Sequence, residues 1–144
     1  MDGIDLEIVW SNLISIVSEQ AKALQRIAFS PIVREAGDLA NALFDRRGRM
    51  VAQAVTGTPG HINSLAAAGA HFVEAFPTQT IEPGDVLITN DPWLSAGHFF
   101  DITVLTPIFD GDRILAYIGS TIHHTDIGGY GIGAGARDIH EEGL

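Results

Sequence analysis

The sequence has no cysteine, which excludes a disulfide scaffold, a cysteine nucleophile and any thiolate-ligated zinc or iron–sulfur site. Lys22 is its one lysine, so a P-loop with a phosphate-clamping lysine is excluded as well. Basic residues number 8 against 18 acidic ones, a formal net charge of −10. That balance argues against nucleic acid as a partner, because backbone binding needs clustered Lys and Arg. No uncharged apolar run approaches the ~20 residues of a membrane span, and the opening Asp2-Gly3-Ile4-Asp5 is acidic where a signal peptide is basic. A Gly-x-Ser-x-Gly elbow is also missing, which removes the support for a serine-hydrolase triad. The expectation is a soluble, cytoplasmic protein with no membrane partner.

The 144 residues are 46% hydrophobic and 18% charged, enough apolar material for one domain with a proper core. Val9, Leu13, Ile16, Val17, Leu24 and Ile27 recur at three- and four-residue steps, predicting an amphipathic helix over residues 5–29, capped by Asp5 and stopped by Pro31. Its stripe reads first as core packing and second as a partner surface. Two apolar runs, Leu39–Phe44 and Arg49–Ala54, flank the turn Asp45-Arg46-Arg47-Gly48 and predict a β-hairpin. Thr56–His61 reads as a loop by its Pro and Gly, and Asn63 or Ser64 as the cap of a second helix, Leu65–Phe76. Asp85–Thr89, Ile102–Phe109 and Arg113–Ile122 read as strands, the last two joined at Asp110-Gly111-Asp112. The glycine-rich stretch from Gly128 leads to Glu141-Glu142-Gly143-Leu144 with no closing element expected. Its Gly131–Ala136 segment matches a dinucleotide fingerprint only loosely, without the βαβ unit that motif needs. The fold class is α+β: an N-terminal helix, a β-hairpin, a second helix, then mainly antiparallel strands.

Histidine and carboxylate recur together at strand ends, in Asn90-Asp91-Pro92-Trp93, Gly97-His98-Phe99-Phe100-Asp101 and His123-His124-Thr125-Asp126. If the last two long strands pair as a hairpin, residues before the first lie beside residues after the second. His98 and Asp101 then meet His123, His124 and Asp126. Imidazoles with a carboxylate suit a divalent Zn, Mn or Fe ion, and two His plus one Asp leave coordination positions open for catalysis. His123 and His124 point to opposite faces of an extended strand, so one of them at most is a direct ligand. Asp91 reads equally as a turn initiator, and His61 as a helix-start or packing histidine.

Those three segments, with Ala42-Leu43-Phe44-Asp45 through Gly48-Arg49-Met50-Val51-Ala52-Gln53 and the closing Glu141-Glu142-Gly143-Leu144, resemble the hydantoinase B/5-oxoprolinase family along nearly the whole chain. Family members are several times longer, so the resemblance implies that residues 1–144 are the N-terminal part of a hydantoinase B-type domain, incomplete as given. It implies ATP-dependent ring opening of a small cyclic amide, with ATP handled by a partner A-type subunit that phosphorylates the substrate carbonyl. The related acetone carboxylase branch implies a metal held by His98, Asp101 and His123. Asp126, His124, Asp91 and His61 are then the candidate catalytic residues that orient ligands or move protons. Two other outcomes stay open: an acetone-carboxylase-like subunit that carboxylates a ketone, and an inactive assembly piece docking through the Val9–Ile27 helix. The chain departs from the family pattern at Ala40-Asn41, where Ser-Cys is usual, and at Ile62, where glycine usually follows the histidine. Both departures bear on the substrate pocket rather than the ligands.

Overall fold

The computed structural model describes residues 3–131 and 135–143. Helix α1 spans Gly3–Ile27, so Asp5 sits inside its first turn rather than at its cap, where its charge still complements the helix dipole. Pro31 ends α1 as expected but also starts a six-residue helix, α2 (Pro31–Ala36), which Gly37 closes in the left-handed conformation at φ 70°. The predicted hairpin forms β1 (Leu39–Asp45) and β2 (Met50–Gln53).

Helix α3 spans Pro59–Ala75. It starts well before the expected Asn63 or Ser64, because a proline in the first turn is pre-set for helix and has no N–H to lose there. His61, expected in a loop, thereby becomes a first-turn residue. A short 3₁₀ turn, Thr78–Thr80, leads to β3 (Leu87–Thr89), β4 (Asp101–Asp110) and β5 (Arg113–His123). A closing element does exist: α4, Ile139–Glu142, is capped by Asp138, whose carboxylate accepts from the His140 and Glu141 amides. The Tyr130 amide donates to the Glu141 carbonyl at 2.8 Å, tying the glycine-rich segment back on itself. Residues 132–134 of the loose dinucleotide match lie outside the described residues.

The five strands form one antiparallel sheet in the order β2-β1-β5-β4-β3. The hairpin of β4 and β5 was legible from its turn; the docking of β1 along β5, with Leu39 opposite Ile122, is the long-range step. Helices cover both faces. Ala40, Ala42 and Phe44 alternate into one core with Leu65, Phe72, Leu105 and Tyr117 beneath α3. Leu39 and Leu43 face the other way, toward Val17, Ala21 and Val33 of α1 and α2. Trp10 donates its indole N–H to the Val51 carbonyl at 3.1 Å, so α1 also occupies part of the open edge of β2, which would otherwise invite another strand. Among the described residues no helix is long and apolar enough to cross a membrane.

Candidate metal centre

The alternation that sends Leu105 and Tyr117 into the core beneath α3 also sends Asp101, Thr103, Thr121 and His123 to that face. Asp101 begins β4 and stands opposite His123, the last residue of β5. Its carboxylate is fully buried, and His123 Nδ1 lies 3.0 Å from Asp101 Oδ1. His98 reaches back from the preceding turn, its Nε2 3.0 Å from Asp101 Oδ2. His61 comes from α3, with Nε2 2.8 Å from the same oxygen. Three imidazoles therefore surround one buried carboxylate.

The surroundings fix these rings. Phe100 stacks on His123 with ring centroids 6.0 Å apart, and His98 meets His123 edge-on at 5.2 Å. On the far side of His61, Nδ1 is 3.3 Å from Asp38 Oδ1, and Asp38 in turn accepts a 2.7 Å hydrogen bond from the Thr58 hydroxyl. Below Asp101 the hydroxyls of Thr103 and Thr121 are linked at 2.8 Å, and Ser95 extends that link through Thr103.

The electrostatics follow from burial. The hydrogen bond and charge of Asp101, helped by Asp38, raise His61 above its usual 6.5 although burial opposes them. Burial pushes the Asp101 carboxyl up, but His61, His98 and His123 outweigh it and hold the group below its usual 3.8. A buried carboxylate demands a positive partner, and either a protonated histidine or a cation meets that demand.

The residues present fit a cation. His123 Nε2 is buried without a partner, and Asp101 Oδ2 has only the His61 and His98 ring nitrogens for company, at 2.8 and 3.0 Å. Ligand atoms of His98, Asp101 and His123 lie within 4.8 Å of one another. Bonds of ~2.1 Å to one ion hold two donors no more than about 4.2 Å apart, so movements of a few tenths of an ångström close the set.

The structure thus brings His98, Asp101, His123 and His61 together. His124 leaves the cluster: its amide donates to the Phe100 carbonyl at 2.8 Å, and its ring lines a hollow of about 290 Å³ with Leu24, Phe29, Ile122, His123 and Asp126. Burial, reinforced by His123, lowers the His124 pKa below 6.5 against a weaker pull from Asp101. The Asp126 carboxylate accepts from the Gly128 amide at 2.9 Å at the rim of that hollow. Asp91 is engaged in its own turn, accepting from the Trp93 amide at 2.9 Å. Asp38 is the residue that sequence reasoning missed. Its signal was a carboxylate just before a strand, but its place beside His61 depends on β1 pairing with β5.

An antiparallel sheet clasped by helices, with a histidine–carboxylate cluster where two strand ends meet, defines the class. The chain belongs to the Hydantoinase B/oxoprolinase family, which it matches over residues 2–144. It is 34% identical to the 5-oxoprolinase of Saccharomyces cerevisiae, a match covering 99% of this chain and 11% of that one. Among solved structures it resembles an ATP-dependent caprolactamase from Pseudomonas jessenii, with TM-score 0.79 and 30% identity over 100% of this chain and 25% of the other. It also resembles nucleotide-free acetone carboxylase, with TM-score 0.81 and 26% identity over 96% of this chain and 19% of that one. The chain spans from 11% to 26% of the length of the curated relatives it matches first.

Proposed function

We propose that these residues are the N-terminal, metal-binding part of a B-type component that opens the ring of a small cyclic amide, in partnership with an A-type subunit that handles ATP. The observation that carries this reading is the convergence of His61, His98 and His123 on buried Asp101. The names of the relatives, 5-oxoprolinase and ATP-dependent caprolactamase, support the substrate class. His98, Asp101 and His123 would hold a Zn, Mn or Fe ion. Such an ion, when bound, supplies a Lewis acid for a carbonyl oxygen and a more acidic water.

The chain's own residues carry the remainder. Asp38 and Thr58 hold the His61 ring toward Asp101, so His61 accepts a proton at Nε2 more readily than a free imidazole. His124, with its pKa lowered, is neutral at physiological pH and able to take a proton from a group in the adjoining hollow. Leu24, Ile27, Val33 and Ile122 give that hollow an apolar wall, which suits the methylene side of a ring. Asp126 stands at its rim as a polar contact, and Asp91 shapes the loop that carries His98.

Carboxylation of a ketone is the second reading, favoured by the likeness to acetone carboxylase. Both are tested by elemental analysis of the purified protein after dialysis against metal-free buffer. About one ion per chain is expected, lost in His98→Ala and His123→Ala; no metal in a folded wild-type protein overturns the reading. With the A-type partner added, ATP-dependent ring opening without label from ¹³C-bicarbonate in the product supports the hydrolase. Label in the product supports the carboxylase.

A further inference from the structure

The other end of the sheet carries a different chemistry. The β1–β2 turn and the β4–β5 turn project from the same edge, because β1 and β5 run antiparallel with Asp45 opposite Ala116. Arg46, Arg47 and Arg49 come from the first turn and Arg113 from the second, so four of the chain's eight basic residues gather there. They line two adjoining hollows of about 520 and 460 Å³, within the size range of small-molecule sites. Arg113 and His123 are ten residues apart along β5, so the hollows lie roughly 33 Å from the histidine cluster.

Arg49 is neutralised by Asp45 at 2.7 Å. Arg46, Arg47 and Arg113 form no ion pair among the described residues, although the protein carries 18 acidic residues. The lining of the larger hollow holds these three arginines against one carboxylate residue, Asp112, an excess of two positive charges. Thr78 and Gln79 add neutral polar groups, and Ile114 is the one aliphatic residue of the lining. The second hollow adds one further aliphatic residue, Leu115, so charged and polar groups dominate the patch, whereas the core of a protein-docking patch is depleted of charge. Guanidinium forks match the oxygens of a phosphoryl group in geometry as well as charge.

From this we infer that the paired turns form a binding site for a small molecule bearing a phosphoryl or pyrophosphoryl group. The excess of two charges matches one phosphate dianion, and the second hollow, which shares Arg46, Arg47 and Arg113, leaves room for the rest of the ligand.

The probes are inorganic phosphate and pyrophosphate, titrated into the full chain in low-salt buffer and followed by calorimetry and by ³¹P line broadening. Saturable binding is expected, weakened by salt and weakened roughly tenfold for each of Arg46→Gln, Arg47→Gln and Arg113→Gln. Phosphate also binds metals, so the titration is repeated in His98→Ala, where binding is expected to be unchanged. All three arginines are exposed, and far-UV dichroism checks that the variants remain folded. No saturable binding up to about 10 mM, or equal binding in wild type and the Arg46→Gln/Arg47→Gln double variant, overturns the inference. Binding that disappears only in His98→Ala also overturns it, because the anion then sits at the histidine cluster.

Discussion

Asp101 and His123 stand directly opposite each other at the ends of β4 and β5, with Nδ1 and Oδ1 3.0 Å apart. That bond leaves His123 Nε2 buried without a partner, while Asp101 Oδ2 is shared between His61 Nε2 at 2.8 Å and His98 Nε2 at 3.0 Å. A cation would engage the free His123 Nε2 and take over the charge demand of Asp101 that the imidazoles now meet. Asp101→Asn keeps the shape and the acceptor toward His123 but removes the charge. The expected outcome is a folded protein whose metal affinity falls by more than roughly 100-fold, since even outer-shell changes cost 10- to 100-fold. Titration of the metal-stripped variant with Zn or Mn checks this. Wild-type affinity in Asp101→Asn would sink the site.

Without a bound ion, the pKa shifts of the site give stability a pH dependence of defined sign. His61 is raised above its usual 6.5 in the folded state, so its contribution is fully present below 6.5 and is lost as pH rises through the raised value. His124 is lowered below 6.5. The unfolded chain then takes up its proton first, and stability falls as pH drops from 6.5 through the lowered value. Asp101, held below 3.8, contributes fully above 3.8 and adds to the acid-side loss below it. Urea midpoints across pH are expected to peak near 6.5. His61→Gln should flatten the alkaline limb and His124→Gln the upper acid limb. A midpoint unchanged between pH 6 and 9 in the wild type would contradict the His61 assignment.

The parts of this architecture that were legible in the sequence are those set by local chemistry. Asp110-Gly111-Asp112 specifies a tight turn, and once β4 and β5 pair, His98, Asp101 and His123 must meet. Long-range steps were less legible. Asp38 reaches His61 only because β1 docks on β5, and nothing local announces that pairing. The start of α3 was misplaced because Pro59-Gly60 reads as a break, whereas proline in a first helical turn is an opening. His61 sits in that opening turn, which aims it at Asp101. The departure at Asn41 has a structural answer as well. Asn41 shares its face with Leu39 and Leu43, toward α1, and is buried with both amide atoms unpartnered. It therefore lies on the opposite side of the sheet from the histidine cluster.

The close approach of α3 to the first hairpin is the packing contact on which the position of His61 rests, and it has a sharp test. Gly69 lies in the middle of α3, where alanine would normally gain about 1 kcal/mol in helix propensity. A Cβ at Gly69, however, would stand 2.6 Å from the Phe44 ring and 2.6 Å from the Gly48 carbonyl oxygen. Phe44 is fully buried and the hairpin backbone is held by its ladder, so neither neighbour yields cheaply. Overpacking of this kind costs about 1–3 kcal/mol, enough to override the propensity gain. Gly69→Ala is expected to lower Tm by several degrees, at roughly 3–4 °C per kcal/mol for a chain of this size. Gly60→Ala is the control: it lies in the first turn of the same helix with nothing within 4 Å of its added methyl, so its Tm should hold or rise slightly. Scanning calorimetry decides between them. If Gly69→Ala matches or exceeds the wild type, helix and hairpin do not meet as closely as described, and the placement of His61 against Asp101 loses its support.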